Sequence, residues 1–385
     1  MLRSPSLPAS GHYIGRATSP HAAHPLVVTV RDGEVWDITS REAPTVRDMC
    51  EMEDPAAYVR QAGGKPLGMV EELAENSFGD RRDPEKPFFL SPVDLQAVKA
   101  AGVTFAASLI ERVIEERARG DAAEADALRA EINALIGPDL SRLKPGSPEA
   151  MSLKETLIAR KMWSQYLEVG IGPDAEIFTK CQPLASVGFG ADVGLHPVSD
   201  WNNPEPEIAV IAASNGGIIG ATLGNDVNLR DVEGRSALLL GKAKDNNASA
   251  SLGPMIRLFD ESFSLDDVKS AEVSLTVEGE DGFSLQGASS MRLISRSPEE
   301  LVAAAVGPHH QYPDGLVLYL GTMFVPAKDR NEKGGGFTHR EGDIVTIETP
   351  ALGRLVNRVR RAPDCPPWTY GARALMADLS RAGLI

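Results

Sequence analysis

The sequence predicts an α+β protein, in which a small N-terminal domain and a helical connector precede a mainly antiparallel, β-rich C-terminal domain. Three successive patterns along the chain indicate this organisation. Short β-prone pieces mixed with Gly, Pro and charge occupy residues 1–90, apolar residues at helical spacing follow in 91–170, and short β-branched runs separated by turns fill 171–385. A chain of 385 residues is long enough for such a division.

The first two segments are predicted from their periodicity. In residues 1–90 the stretch "HPLVVTVRDGEVWDIT" is typical of paired short strands. In 91–170, apolar residues recur at three- and four-residue spacing with charge between them, which predicts two helices broken near Gly120. The apolar positions are Leu109, Ile110, Val113, Ile114, Leu128, Ile132, Leu135 and Ile136.

The C-terminal segment contains two hairpin signals. "EIAVIAASNGGIIGATLGNDV" places the turn residues Asn215 to Gly217 between two β-branched runs, and "EVSLTVEGEDGFSL" does the same around Gly282. Hairpins join antiparallel strands, so this segment is predicted to be mainly antiparallel.

Composition and charge exclude several classes of function. The net charge of −15 repels phosphate backbones and anionic membrane surfaces, so neither nucleic acid nor membrane is an expected partner. The chain begins without the apolar segment of a secretory signal and has no apolar run of ~18 residues, so we expect a cytoplasmic protein. Its three cysteines have no pairing or zinc-like spacing and are interpreted as free, buried thiols.

Three carboxylates are predicted to converge at the first hairpin. Glu205 and Glu207 stand two residues apart at the start of a strand and therefore share a face, and the return strand brings Asp226 level with them. Such a cluster in a cleft requires a cation, and an all-oxygen ligand set suits Mg²⁺, Mn²⁺ or Ca²⁺ better than zinc. A solvated acidic turn is the alternative that spacing leaves open.

The order of motifs across residues 171–362 resembles the fumarylacetoacetate hydrolase family. The motifs are "EIFTK", "PEPEIAV", "GNDVNLRD", "KDNNASASLGP", "LQGASSM", "LYLGTMFVP" and "REGDIVTIETPALGRLVNRV". The resemblance implies a catalytic domain of that fold in 171–385, with Glu205, Glu207 and Asp226 as metal ligands. It also implies that Lys244, eight residues before Leu252, faces the metal-bound substrate, and that Thr322 contacts a substrate carboxylate.

One departure from the family pattern decides the expected reaction. Hydrolytic members carry G-x-N-Y-x-x-H-x-x-E, whose histidine activates water, but the matching stretch here has Ser108 at the histidine position and keeps Glu111. What remains is a metal site, Lys244 and Glu176. This combination resembles the sugar-acid branch of the family, the 2-keto-3-deoxy-pentonate dehydratases.

The resemblance to that branch implies a lyase of pentose catabolism. It would dehydrate a 2-keto-3-deoxy-pentonate to 2,5-dioxopentanoate through a Mg²⁺-stabilised enolate, with Mn²⁺ as the alternative ion. Glu176 and Lys244 are the expected catalytic residues, the keto sugar acid is the expected partner, and a homodimer or homotetramer is the expected assembly. Two alternatives stay open: a metal-dependent hydrolase or decarboxylase of an acylpyruvate-like diketo acid, and a non-catalytic sugar-acid binding protein.

Lys180, four residues after Glu176, has two interpretations. It either supports the carboxylate cluster electrostatically or is an ordinary solvated lysine, and the sequence does not choose between them.

Overall fold

The computed structural model describes residues 4–105, 109, 143–324, 326, 328–330 and 336–385. Within these ranges the strands are β1 Tyr13–Thr18, β2 Leu26–Arg31, β3 Glu34–Asp37, β4 Lys65–Met69, β5 Phe88–Phe89, β6 Ala97–Gly102, β7 Glu176–Cys181, β8 Asp192–Leu195, β9 Pro206–Ala212, β10 Ile218–Asp226, β11 Ala250–Leu258, β12 Glu272–Glu278, β13 Ser284–Ser290, β14 Leu316–Tyr319, β15 Ile344–Thr349 and β16 Gly353–Arg361. The α-helices are Val46–Cys50, Pro55–Gln61, Val70–Ser77, Pro148–Ala159, Gln165–Ile171, Arg230–Glu233, Leu240–Lys244, Leu265–Ser270, Pro298–Ala305 and Ala372–Arg381.

These strands form two sheets. The larger has the order β4-β3-β2-β1-β11-β10-β9-β14-β6-β7, with β5 paired to β1, and the smaller has the order β13-β12-β15-β16-β8. Among the described strands every pairing is antiparallel except β14 with β6 and β16 with β8. The predicted α+β class with mainly antiparallel pairing is confirmed.

The middle of the larger sheet is covered on both faces. Strand β9 lies between β10 and β14, and all seven of its residues are buried. Alternate side chains enter separate cores: Ile208 and Val210 pack into one cluster, Ala209 and Ile211 into another. A strand buried on both faces must be apolar at successive positions, which accounts for the run "IAVIA" after the two glutamates.

The smaller sheet shows the half-buried pattern instead. In β12 the buried residues Val273, Leu275 and Val277 alternate with more exposed ones. Its partner β13 follows the predicted turn, with Glu278 opposite Ser284. Both predicted hairpins are therefore present.

The predicted helical connector is wrong at residues 97–102. This stretch is strand β6, which pairs in parallel with β14 and antiparallel with β7 near one edge of the larger sheet. Its Ala and Lys residues favour helix by themselves, but Val98 and Ala100 are fully buried between two strands, and tertiary packing overrides propensity. The helix Pro148–Ala159 lies within the predicted connector, and the helix Gln165–Ile171 lies at its C-terminal end.

The N-terminal segment contains the predicted strands together with three short helices that the prediction did not include. Strand β1 also pairs with β11, so the larger sheet runs from the N-terminal segment into the C-terminal one. The division at residues 90 and 170 stays a prediction.

Some predicted features lie outside the described residues. Ser108, Glu111 and the helix break near Gly120 are among them. Within the described ranges the three cysteines are buried and free, as predicted. None of the helices described there combines the length and the apolar character needed to cross a bilayer.

Candidate metal centre

The hairpin of β9 and β10 brings three carboxylates together. Gly224 lies opposite Glu207 in the register, and the Asp226 N–H donates to the Glu205 carbonyl oxygen at 3.1 Å. One ligand oxygen from each of Glu205, Glu207 and Asp226 lies within 4.8 Å of the others. All three residues are at most 1% exposed, so the alternative of a solvated acidic turn is wrong.

Two buried lysines face the triad. Lys180 Nζ lies 2.6 Å from Asp226 Oδ1 and donates to the carbonyl oxygens of Val227 and Lys244, which excludes a solvated Lys180. Lys244, the last residue of the helix Leu240–Lys244, forms an ion pair with Glu205 Oε2 and lies 3.1 Å from Asp226 Oδ2. The carboxylate cluster is thus bordered by cations on two sides.

The charges of this cluster do not balance. With all three carboxylates ionised, the buried site would carry one negative charge more than its two lysines can neutralise. Burial, reinforced by the charges of Asp226 and Glu205, raises the pKa of Glu207 well above its ordinary value. A divalent cation relieves both effects, and the all-oxygen donor set is the one that Mg²⁺, Mn²⁺ and Ca²⁺ prefer. The residues present therefore fit a divalent metal ion.

Glu207 forms hydrogen bonds with two residues that directly follow the end of strand β14. The Gly321 N–H donates to Glu207 Oε2 at 2.7 Å, and Thr322 Oγ1 lies 3.3 Å from Glu207 Oε1. Gly321 has φ +104°, and a Cβ there would lie 1.9 Å from Thr104 Oγ1, so this position requires glycine. Thr322 therefore contacts a predicted metal ligand, and its contact with a substrate carboxylate stays a prediction.

A small cavity lies next to the triad, and the other predicted site residues are part of its lining. Its lining consists of Ala101, Gly102, Val103, Glu176, Phe178, Glu205, Asp226, Glu233, Lys244 and Thr322. The structure therefore brings together Glu176, Lys244, Thr322 and the triad, which the sequence placed far apart along the chain. Their catalytic and binding roles stay predictions.

Two further polar residues of the site were missed by the sequence analysis. Asn228 Nδ2 donates to Glu205 Oε1 at 3.1 Å and to Glu233 Oε2 at 2.6 Å. A signal was available, because Asn228 follows Asp226 by two residues at the end of the return strand. Glu233 gave no such signal, since its place in the cavity depends on the short helix Arg230–Glu233.

Fold and site together define a β-rich protein with a buried carboxylate triad that fits a divalent metal. Residues 185–360 match the family described as "Fumarylacetoacetate (FAA) hydrolase C-terminal". The family resemblance carried by the sequence motifs is confirmed.

Two proteins of similar sequence are dehydratases by name. The 2-dehydro-3-deoxy-D-arabinonate dehydratase of Saccharolobus solfataricus is 32% identical over 186 residues, which are 48% of this chain and 59% of that protein. The "Probable 2-keto-3-deoxyxylonate dehydratase" of Haloferax volcanii is 26% identical over 332 residues, which are 86% of this chain and 93% of that protein. The chain thus spans about three-fifths of the first relative's length.

A similar solved structure is 2-keto-3-deoxy-D-arabinonate dehydratase complexed with magnesium and 2,5-dioxopentanoate. It aligns with a TM-score of 0.59 at 19% identity, covering 91% of this chain and 99% of that one. At this identity the likeness establishes the shared fold.

Proposed function

We propose that this protein is a metal-dependent hydro-lyase that dehydrates a 2-keto-3-deoxy-pentonate to 2,5-dioxopentanoate. The observation that carries the proposal is the convergence of the buried triad, Lys244 and Glu176 on one cavity. The names of the two similar proteins and the magnesium in the related structure support it.

The ion is Mg²⁺, with Mn²⁺ as the alternative, held by Glu205, Glu207 and Asp226. When bound, it supplies electrostatic stabilisation for negative charge that develops on the oxygens of the keto acid. Two buried lysines reduce, but do not remove, the repulsion among the three carboxylates in the absence of an ion.

Glu176 and Lys244 carry the proton transfers in this proposal. A carboxylate accepts a proton as it stands, so Glu176 takes the C3 proton of the substrate. Lys244 is cationic at neutral pH and already lies among the carboxylates, so it donates to the C4 hydroxyl group, which leaves as water. Tautomerisation of the unsaturated product then gives the C5 aldehyde. Thr322 contacts the substrate carboxylate.

Other parts of the proposal rest on the family resemblance alone. They are a role in pentose catabolism and a homodimeric or homotetrameric assembly. A cytoplasmic location stays a prediction from the sequence.

The deciding experiment is incubation of the protein and Mg²⁺ with 2-keto-3-deoxy-arabinonate and, separately, its C4 epimer. Formation of a new aldehyde from one of them supports the proposal. Metal-dependent binding of both epimers with no aldehyde identifies a sugar-acid binding protein instead, and the lyase assignment then fails.

A further inference from the structure

Asn228 has an unusual pair of partners. It is fully buried directly after β10, and its backbone is fixed by two hydrogen bonds of 3.1 Å to the backbone of Asn203. Its side-chain Nδ2 donates to the predicted metal ligand Glu205 and to Glu233 of the cavity wall. One amide group therefore bridges two carboxylates.

The chemistry of the amide fixes its orientation. Ionised carboxylates only accept hydrogen bonds, so the NH₂ end must face them, and its two N–H groups can serve one oxygen each. The other end, Oδ1, is buried and has no hydrogen-bond partner in the described part of the chain. The two carboxylates therefore determine how this side chain is held.

Glu205 depends on this bridge because its two oxygens have different partners. Oε2 is drawn toward Lys244, whereas Oε1 accepts from Asn228. Without the amide, Oε1 loses this donor while the Lys244 ion pair at Oε2 remains, and that ion pair pulls the carboxylate toward the lysine. Outer hydrogen bonds of this kind orient metal ligands, and their loss typically costs about 10–100-fold in metal affinity.

We propose that Asn228 is a positioning residue of the metal centre, which holds Glu205 in its ligating orientation and ties it to Glu233. Metal affinity is thereby linked to the position of the short helix Arg230–Glu233 at the cavity wall. This inference rests on the metal-binding part of the proposed function and is independent of the reaction catalysed.

The test measures Mn²⁺ binding to the full chain. Electron paramagnetic resonance monitors the binding, because the signal of the free ion is lost when the ion binds. Asn228→Ala should bind Mn²⁺ about 10–100-fold more weakly than the unaltered protein. Asn203→Ala is the matched control, because Asn203 is equally buried and shares the backbone bridge but donates to the Pro204 carbonyl oxygen. It should keep normal affinity.

Each outcome separates the inference from the proposed function. If the unaltered protein binds no Mn²⁺, the metal site itself is wrong. If it binds and folded Asn228→Ala binds equally well, or if both asparagine variants lose affinity alike, the positioning role is overturned. Should Asn228→Ala not fold, Asn228→Ser replaces it: a single O–H cannot serve both carboxylates, so normal affinity in that variant also overturns the role.

The link to Glu233 needs a double-mutant cycle. Glu233→Ala should weaken Mn²⁺ binding by itself, and its effect should be smaller in the Asn228→Ala background because the bridge is already broken. If Glu233→Ala weakens Mn²⁺ binding by the same factor in both backgrounds, Glu233 acts through its charge alone. The proposed link would then be abandoned.

Discussion

Glu176 lies opposite Gly102 in the pairing of β7 with β6, and its carboxylate lies directly over the glycine. A Cβ at residue 102 would be 1.9 Å from Glu176 Oε2 and 2.5 Å from Cδ. Because residue 102 of β6 is a glycine and has no side chain, there is room for the Glu176 carboxylate at the cavity wall.

Replacing Gly102 with Ala should displace the Glu176 carboxylate without unfolding the protein. Alanine suits a strand interior at least as well as glycine does, so the melting temperature should not fall. If Glu176 is the base, kcat should drop by about tenfold or more, because small misplacement of a reacting group is costly. Steady-state kinetics with thermal melts of the same preparation measure both quantities.

The matched control is Gly63→Ala, since nothing lies within 4 Å of a Cβ at that exposed position. It should keep both stability and kcat. Unchanged kcat in Gly102→Ala would show that the position of Glu176 in this structure is unimportant for turnover.

Removing the metal should abolish activity and lower stability together. The triad, when fully ionised, carries one negative charge more than its two lysines neutralise. An ion that binds only the folded state stabilises that state by about 2.7 kcal/mol at 100 times its dissociation constant. Chelation should therefore lower the melting temperature, and Mg²⁺ or Mn²⁺ should restore it with activity. Full activity in excess chelator, with no metal retained, would remove the metal from the mechanism.

The triad was predictable because a hairpin is a local structure. The turn at Asn215 to Gly217 joins β9 to β10, and a one-residue register shift between Ile218 and Gly220 then brings Asp226 beside Glu205. Strand β6 was not predictable, because its alanines become a strand only by pairing with β14, more than 200 residues later in the chain. The bridge from Asn228 to Glu233 depends on a turn of helix whose direction no periodicity encodes.

The stability of the protein should fall as pH drops below about 6.5, because of His339. This residue is buried, its Nδ1 lies 3.0 Å from Asp343 Oδ2, and its Nε2 has no partner within the described ranges. Burial lowers its pKa below the ordinary value of 6.5, although hydrogen bonding to Asp343 acts in the opposite direction. The folded protein therefore favours the neutral imidazole.

The direction of this change in stability with pH follows from proton uptake. As pH falls through 6.5, the unfolded chain protonates His339 while the folded protein does not, so the free energy of unfolding decreases until the lower, folded pKa is passed. Urea unfolding between pH 7.5 and 5.0 measures the slope. His339→Gln, which cannot titrate, should show a shallower slope, and an identical slope in the two proteins would assign the effect to other groups.

Acylpyruvates should be poor substrates. Ser108 stands where the hydrolytic pattern has its water-activating histidine, so no base for water is expected at that position. The deoxy-keto acid should be consumed under conditions in which pyruvate release from an acylpyruvate is slow or undetectable. Efficient pyruvate release would favour the hydrolase alternative over the lyase.

Replacement of Glu176 and replacement of Lys244 should produce different kinetic defects. Glu176→Gln keeps the shape of the side chain but cannot accept the C3 proton, so kcat should fall by about 10²–10⁴-fold with little change in metal or substrate binding. Lys244→Met should impair both kcat and KM, because it also removes the cation beside Glu205 and Asp226. Lys242→Met is the control, since Lys242 belongs to the same helix but is exposed.

Exchange of the C3 hydrogen with solvent deuterium assigns the two roles. Removal of the C3 proton precedes loss of the C4 hydroxyl in the proposed reaction, so a variant that lacks only the leaving-group acid still exchanges, whereas one that lacks the base does not. NMR should therefore detect exchange in Lys244→Met and none in Glu176→Gln, each under saturating Mg²⁺. If Glu176→Gln exchanges at the rate of the unaltered protein, the base lies elsewhere, and Glu111 is the next residue to replace.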